Sequence, residues 1–226
     1  MTNGPRGTVL LDLDGTLADS APDLADSLDL LMAERGLAPF GLGGTRALIG
    51  HGIPALVAGA LRERGLSPGE AEVAEAAQRF HTLYGPRLTA RTRPYPGAED
   101  ALRALAGAGW RLVVCTNKRT AEARAILDGL GLLAAFDLVA GPDAVGARKP
   151  DPAHLLRALP APPGPAHPAV MVGDTIVDVE AARAAHVPVI ACAWGYAKGP
   201  VEALGADAVA SSFAEVPVLV ERLAPR

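Results

Sequence analysis

The chain has 226 residues, half of them hydrophobic and a fifth charged, which suits one large domain or one domain carrying an insertion. A net charge of −4, with no basic run and no aromatic-rich basic stretch, argues against nucleic-acid binding. No apolar run approaches the roughly 18 residues needed to span a bilayer. Residues 1–7 lack the apolar core of a signal peptide, and Cys115 and Cys192 lie apart inside apolar runs, so a cytoplasmic protein with buried free thiols is expected.

Residues 8–13 read as a buried strand, and Gly15 ends that run. Asp12 and Asp14 lie two apart, so a strand points both carboxylates to one face. Two unit charges about 4 Å apart repel by roughly 4 kcal/mol at an effective dielectric of ~20, which a fold tolerates when a cation or shared proton lies between them. Ser20-Ala-Pro-Asp23 has capping-box spacing and precedes a helix to Arg35. Gly36, Pro39 and Gly41-Leu-Gly-Gly44 read as a break, and a second helix runs over 53–64 to Gly65. Ser67-Pro-Gly-Glu70 opens a third helix ending near Leu88. Residues 18–90 therefore read as all helical.

After Pro94 and Pro96 the rhythm changes to a helix over 98–106, strand 110–115, helix 120–130 and strand 137–140. A helix capped by Asp151-Pro152, strand 169–172, helix 175–185, strand 188–192, a short strand at Ala208-Val209 and a helix over 213–223 complete the chain. This alternation predicts an α/β fold with a doubly wound parallel sheet, interrupted after its first strand by a helical block that overhangs the strand ends.

Four clusters fall at or just after strand ends: Asp12/Asp14, Thr116-Asn117-Lys118, Lys149, and Asp174 with Asp178. Each has a plainer reading. Asp12 to Gly15 suits a turn, Thr116 a helix cap, Lys149 a solvated loop, and Thr175-x-x-Asp178 a capping box. Only three basic side chains are lysines, namely Lys118, Lys149 and Lys198. Taken together, the order and placement of the clusters form one constellation.

That constellation resembles the haloacid-dehalogenase-like hydrolase superfamily over essentially the whole chain. Asp12-Leu-Asp14-Gly-Thr matches its first motif, Thr116 its second, Lys149 its third and Gly173-Asp174-x-x-x-Asp178 its fourth. The resemblance implies a Rossmann-like core over 1–17 and 91–226, and an inserted α-helical cap domain over 18–90. A second aspartate at Asp14 implies a phosphatase, not a dehalogenase. A narrower resemblance, to the phosphoglycolate phosphatases, rests on Leu17-Ala-Asp-Ser-Ala-Pro-Asp-Leu24, Thr116-Asn-Lys118, Gly141-Pro-Asp143 ahead of Lys149-Pro-Asp-Pro152, and Trp194-Gly-Tyr196. Arg119 and Ala197 depart from that group, which usually has proline and asparagine there.

The resemblance implies that Asp12 forms an aspartyl-phosphate and that Asp14 protonates the leaving alkoxide and then activates water. Mg²⁺ is expected on Asp12, the backbone carbonyl of Asp14 and Asp174, with Asp178 holding its water shell or orienting Lys149. Thr116 and Asn117 would bind the phosphoryl group and Lys149 would neutralise charge. Arg46, His51 and Lys118 are the candidates for a substrate carboxylate such as that of 2-phosphoglycolate. The expected partner is a small phosphorylated metabolite, with no nucleic acid and no membrane, and the expected state is a monomer or homodimer. The alternatives are a pyrophosphatase, a phosphosugar phosphatase or a sugar phosphomutase of the same superfamily and, from another class, a receiver-type phosphorylated signalling module.

Overall fold

A computed structural model describes residues 5–224. The chain begins with β1 (Gly7–Leu11) and β2 (Ala18–Asp19). Four helices follow, α1 (Ala21–Glu34), α2 (Gly41–Arg46), α3 (Ile53–Glu63) and α4 (Glu70–Tyr84), before β3 (Arg93–Pro94). Then come α5 (Ala98–Gly107), β4 (Trp110–Cys115), α6 (Thr120–Gly129), β5 (Leu138–Ala140), α7 (Pro142–Val145) and α8 (Pro152–Ala158). The last elements are β6 (Ala169–Gly173), α9 (Ile176–Ala184), β7 (Val189–Cys192), β8 (Ala208–Ala210) and α10 (Val216–Leu223).

Six strands form one parallel sheet in the order β5-β4-β1-β6-β7-β8. The central strand is buried on both faces, which is why it reads as an unbroken apolar run. Val9 and Leu11 join the larger core with the helical block, while Leu10 packs in a second core with Val113 and Met171 on the opposite face. The strand order turns at β1, so the ends of β1, β4 and β6 open side by side where an open α/β sheet binds ligands.

The structure corrects four local readings. Residues 18–90 are not wholly helical. Ala18 and Asp19 pair antiparallel with Pro94 and Arg93, so a short ribbon joins the outgoing and returning chain. Its partners lie some 75 residues apart, and two residues are too few to leave an alternating pattern. The Gly41-Leu-Gly-Gly44 stretch is the start of α2 because Asp29, from α1, accepts the Phe40 and Gly41 N–H groups at 2.6 and 3.1 Å. Ser20 makes no capping bond. The start of α1 is satisfied instead by the Tyr196 hydroxyl, which accepts the Ala21 N–H at 3.0 Å, while Asp23 accepts the N–H groups of Arg91 and Thr92. At α4 the cap lies two residues later than expected, with Glu72 accepting the Gly69 N–H at 2.8 Å. The boxes at Thr175/Asp178 and the cap at Asp151 form as read.

Candidate active site

The carboxylates at the sheet edge are built in by backbone. Asp12 follows β1, where its N–H donates to Val172 of β6. Its Oδ1 accepts the Leu13 N–H at 2.7 Å and lies 3.0 Å from Lys149 Nζ. Among the described residues no donor is bonded to Oδ2, and Asp12 lines the cavity above the sheet. Asp174 follows β6, with Oδ1 held by the Thr16 hydroxyl at 2.9 Å and Oδ2 by the Tyr196 N–H at 2.7 Å. Gly15 has φ +84°, and a Cβ there would come within 2.2 Å of Asp174 Oδ2, so the Asp-Gly turn is also what lets the two acids approach. Asp178 serves both of its readings. Oδ2 caps α9 through Thr175, and Oδ1 accepts Lys149 Nζ at 2.6 Å.

Asp12, Asp174 and Asp178 each present an oxygen, all within 4.8 Å of one another, and all three are buried. Burial raises the Asp12 carboxyl to about 7, opposed by Lys149 and assisted by Asp178 and Asp14. Burial also drives Asp174 well above the carboxylate range, with Asp178 and Asp12 adding to it. Burial disfavours the Lys149 ammonium, but Asp12 and Asp178 outweigh it and hold the group above its usual value.

Asp14 points the other way. Its Oδ1 accepts the Ser20 hydroxyl, and its Oδ2 lies 3.1 Å from Lys118 Nζ. The Asp14 side chain is therefore not in the three-carboxylate group. Lys118 is buried and reaches the Tyr84 hydroxyl of α4 at 3.2 Å. Asp14, Tyr84 and Glu122 overcome the cost of its burial and keep its ammonium above the usual value. Thr116 is buried at the end of β4. It does not cap α6, whose N-cap is Arg119, but accepts the Lys118 N–H at 3.2 Å, so its hydroxyl hydrogen remains to be donated.

A cavity under the helical block brings these groups together. Asp12, Asp14, Thr116, Asn117 and Lys118 line its floor, and Leu24, Ile49, Gly50, Gly52, Ile53 and Leu56 line its roof. Among the described residues Lys118 is its one cationic lining residue. Arg46 and His51 are not brought there. Arg46 pairs with Asp19 at 2.7 Å beside the Tyr196 ring, and His51 is exposed on a separate cavity with Ile176 and Lys198. Both lie within a few residues of the cavity's roof, but α2 and the loop after it turn their side chains outward. Asn117 spends its amide on backbone groups of Lys149 and Gly50.

Sequence reasoning missed Tyr84, Ser20 and Thr16 as parts of the site. Thr16 lies in the Asp-Gly-Thr string after β1, and the spacing of Ser20 to Asp23 is that of a helix cap. Tyr84 left no signal, since one aromatic residue near a helix end reads as core.

The chain is similar to known proteins over most of its length. The chain is 42% identical to a phosphoglycolate phosphatase of Caulobacter vibrioides, over 93% of this chain and 89% of the relative. It is 43% identical to one of Rhodospirillum rubrum, over 92% and 88% of the two chains. A crystal structure described as a predicted phosphoglycolate phosphatase from Haemophilus somnus superposes with a TM-score of 0.83 at 29% identity, covering 94% of this chain and 96% of that one. The profile of the haloacid dehalogenase-like hydrolases matches residues 7–186, and the chain belongs to that family.

Proposed function

We propose that this hydrolase cleaves 2-phosphoglycolate to glycolate and phosphate through an aspartyl-phosphate on Asp12. This reading is carried by Lys118, which among the described residues is the one cation lining the cavity and lies 3.1 Å from Asp14. A substrate with a carboxylate one carbon from its phosphate ester can reach Lys118 with the acid while its bridging oxygen faces Asp14.

Asp12 Oδ2 attacks phosphorus in line with that oxygen, forming a new P–O bond as the ester P–O bond breaks. Asp14 gives its proton to the departing alkoxide and takes one from the water that next attacks the phosphoryl group, so phosphate leaves and Asp12 is restored. Thr116 donates its hydroxyl to a phosphoryl oxygen. Lys149 balances charge on the nucleophile through its 3.0 Å contact with Asp12.

The residues present fit Mg²⁺. Six oxygens about 2.1 Å from such an ion lie about 3 to 4 Å from one another, and the three carboxylates meet within 4.8 Å. Asp12, Asp174 and the Asp14 carbonyl would hold it, with Asp178 beside them. When bound, it supplies positive charge to the nucleophile and the phosphoryl oxygens. We assign residues 18–90 to a cap over a core of 1–17 and 91–226, acting in the cytoplasm, with the apolar roof excluding water.

The test compares 2-phosphoglycolate with ethyl phosphate, which lacks the carboxylate. Lys118→Met should lower kcat/KM for 2-phosphoglycolate about 100-fold more than for ethyl phosphate, the scale of one buried charge-assisted bond. Equal losses on both esters would remove Lys118 as the carboxylate partner.

A further inference from the structure

We infer that Asn117 is a positioning residue that ties seating of the 49–52 loop over the cavity to the placement of Lys149. One amide makes all the bonds. Asn117 Oδ1 accepts the Lys149 N–H at 2.9 Å, and Nδ2 donates to the Lys149 carbonyl at 2.9 Å and to the Gly50 carbonyl at 3.0 Å. Only this orientation works, since the flipped amide would set its oxygen against two carbonyl oxygens.

Both partners need such a hold. Lys149 lies between α7 and α8 outside regular structure, yet its Nζ must meet Asp12 and Asp178 at 3.0 and 2.6 Å. The 49–52 stretch joins α2 to α3 and forms part of the cavity roof. Gly52 has φ +84°, and a Cβ there would come within 3.2 Å of the Asn117 carbonyl oxygen, so the loop rests directly on residue 117. The amide hydrogens are spent on backbone, which takes the Asn117 side chain out of phosphate binding. When the loop seats, Gly50 fixes the same NH2 group that carries the Lys149 peptide. The roof and the lysine are thereby set together.

Only the activity arm of the test rests on the proposed phosphatase reaction. Hydrogen exchange is followed in the full-length protein and in Asn117→Ala, with Asn117→Ser as a second variant and melting temperatures to verify folding. Amides in peptides spanning 47–56 and 146–151 should both exchange several-fold faster in the variants, the scale of one or two lost bonds. The kcat for 2-phosphoglycolate and for p-nitrophenyl phosphate should fall about tenfold together, while inhibition by inorganic phosphate changes less than about threefold. Faster exchange in one peptide alone, or unchanged kcat, would overturn the coupling. A selective loss of phosphate inhibition would make Asn117 a phosphate ligand instead. If the wild type hydrolyses neither ester, the reaction assignment falls, and the two exchange readouts still decide the clasp.

Discussion

The floor and the roof of the cavity are made of opposite materials. The floor lies over the strand ends and the segments just beyond them, where Asp12, Lys149, Asp174 and Asp178 are buried and each is held by at least two bonds or ion pairs. The roof is helical and apolar, with Leu24, Ile49, Ile53 and Leu56 facing the acids. Polar contacts fasten the roof to the core. They include Asn117 on Gly50 and His81 against Glu122 at 2.5 Å. A single bond such as that of Asn117 to Gly50 contributes only on the order of 1 kcal/mol. The difference teaches where rigidity and mobility reside. Groups that meet phosphorus must not drift, so they are over-determined by the sheet, whereas a roof that admits substrate must be easy to lift.

The largest effect should come from breaking the floor. Asp12→Asn keeps the volume and the Leu13 contact but removes the nucleophile, so turnover should fall by about 10⁴-fold or more with the fold intact by circular dichroism. Substantial residual turnover would reassign the attacking group.

Next is the charge of the floor. Chelation with EDTA should silence hydrolysis, and Mg²⁺ should restore it. The metal-free protein should also lose stability as pH rises from about 4 to about 7. In that window the native Asp12 binds a proton that the unfolded chain, near 3.8, has released, so each upward step favours unfolding. Thermal melts in EDTA across this range measure the slope, and added Mg²⁺ at the upper end should raise the midpoint. A metal-free protein that gains stability over that window would contradict the crowding of acids.

The smallest effect belongs to the edge of the roof. Arg46→Ala should cost less than about 1 kcal/mol of stability, because its pair with Asp19 is partly exposed. Its kcat/KM should change alike for 2-phosphoglycolate and ethyl phosphate. A loss confined to 2-phosphoglycolate would sharpen the comparison differently, by giving the roof a cation of its own.

Much of the floor was legible in the chain itself. Apolar runs ending in Asp12, Thr116 and Asp174 determine a parallel sheet with polar groups at its carboxyl edge, since strand burial and Asp-Gly turns are local consequences of residue type. Spacing alone also gave the helix start at Thr175. Tertiary structure decided the remainder. Whether Ser20 caps a helix or bonds Asp14, whether Arg46 faces the cavity or Asp19, and whether Asn117 meets phosphate or the Lys149 backbone depends on groups 6 to 67 residues away. A side chain with several possible partners takes the one that packing brings within 3 Å, and the residue type alone does not encode that choice.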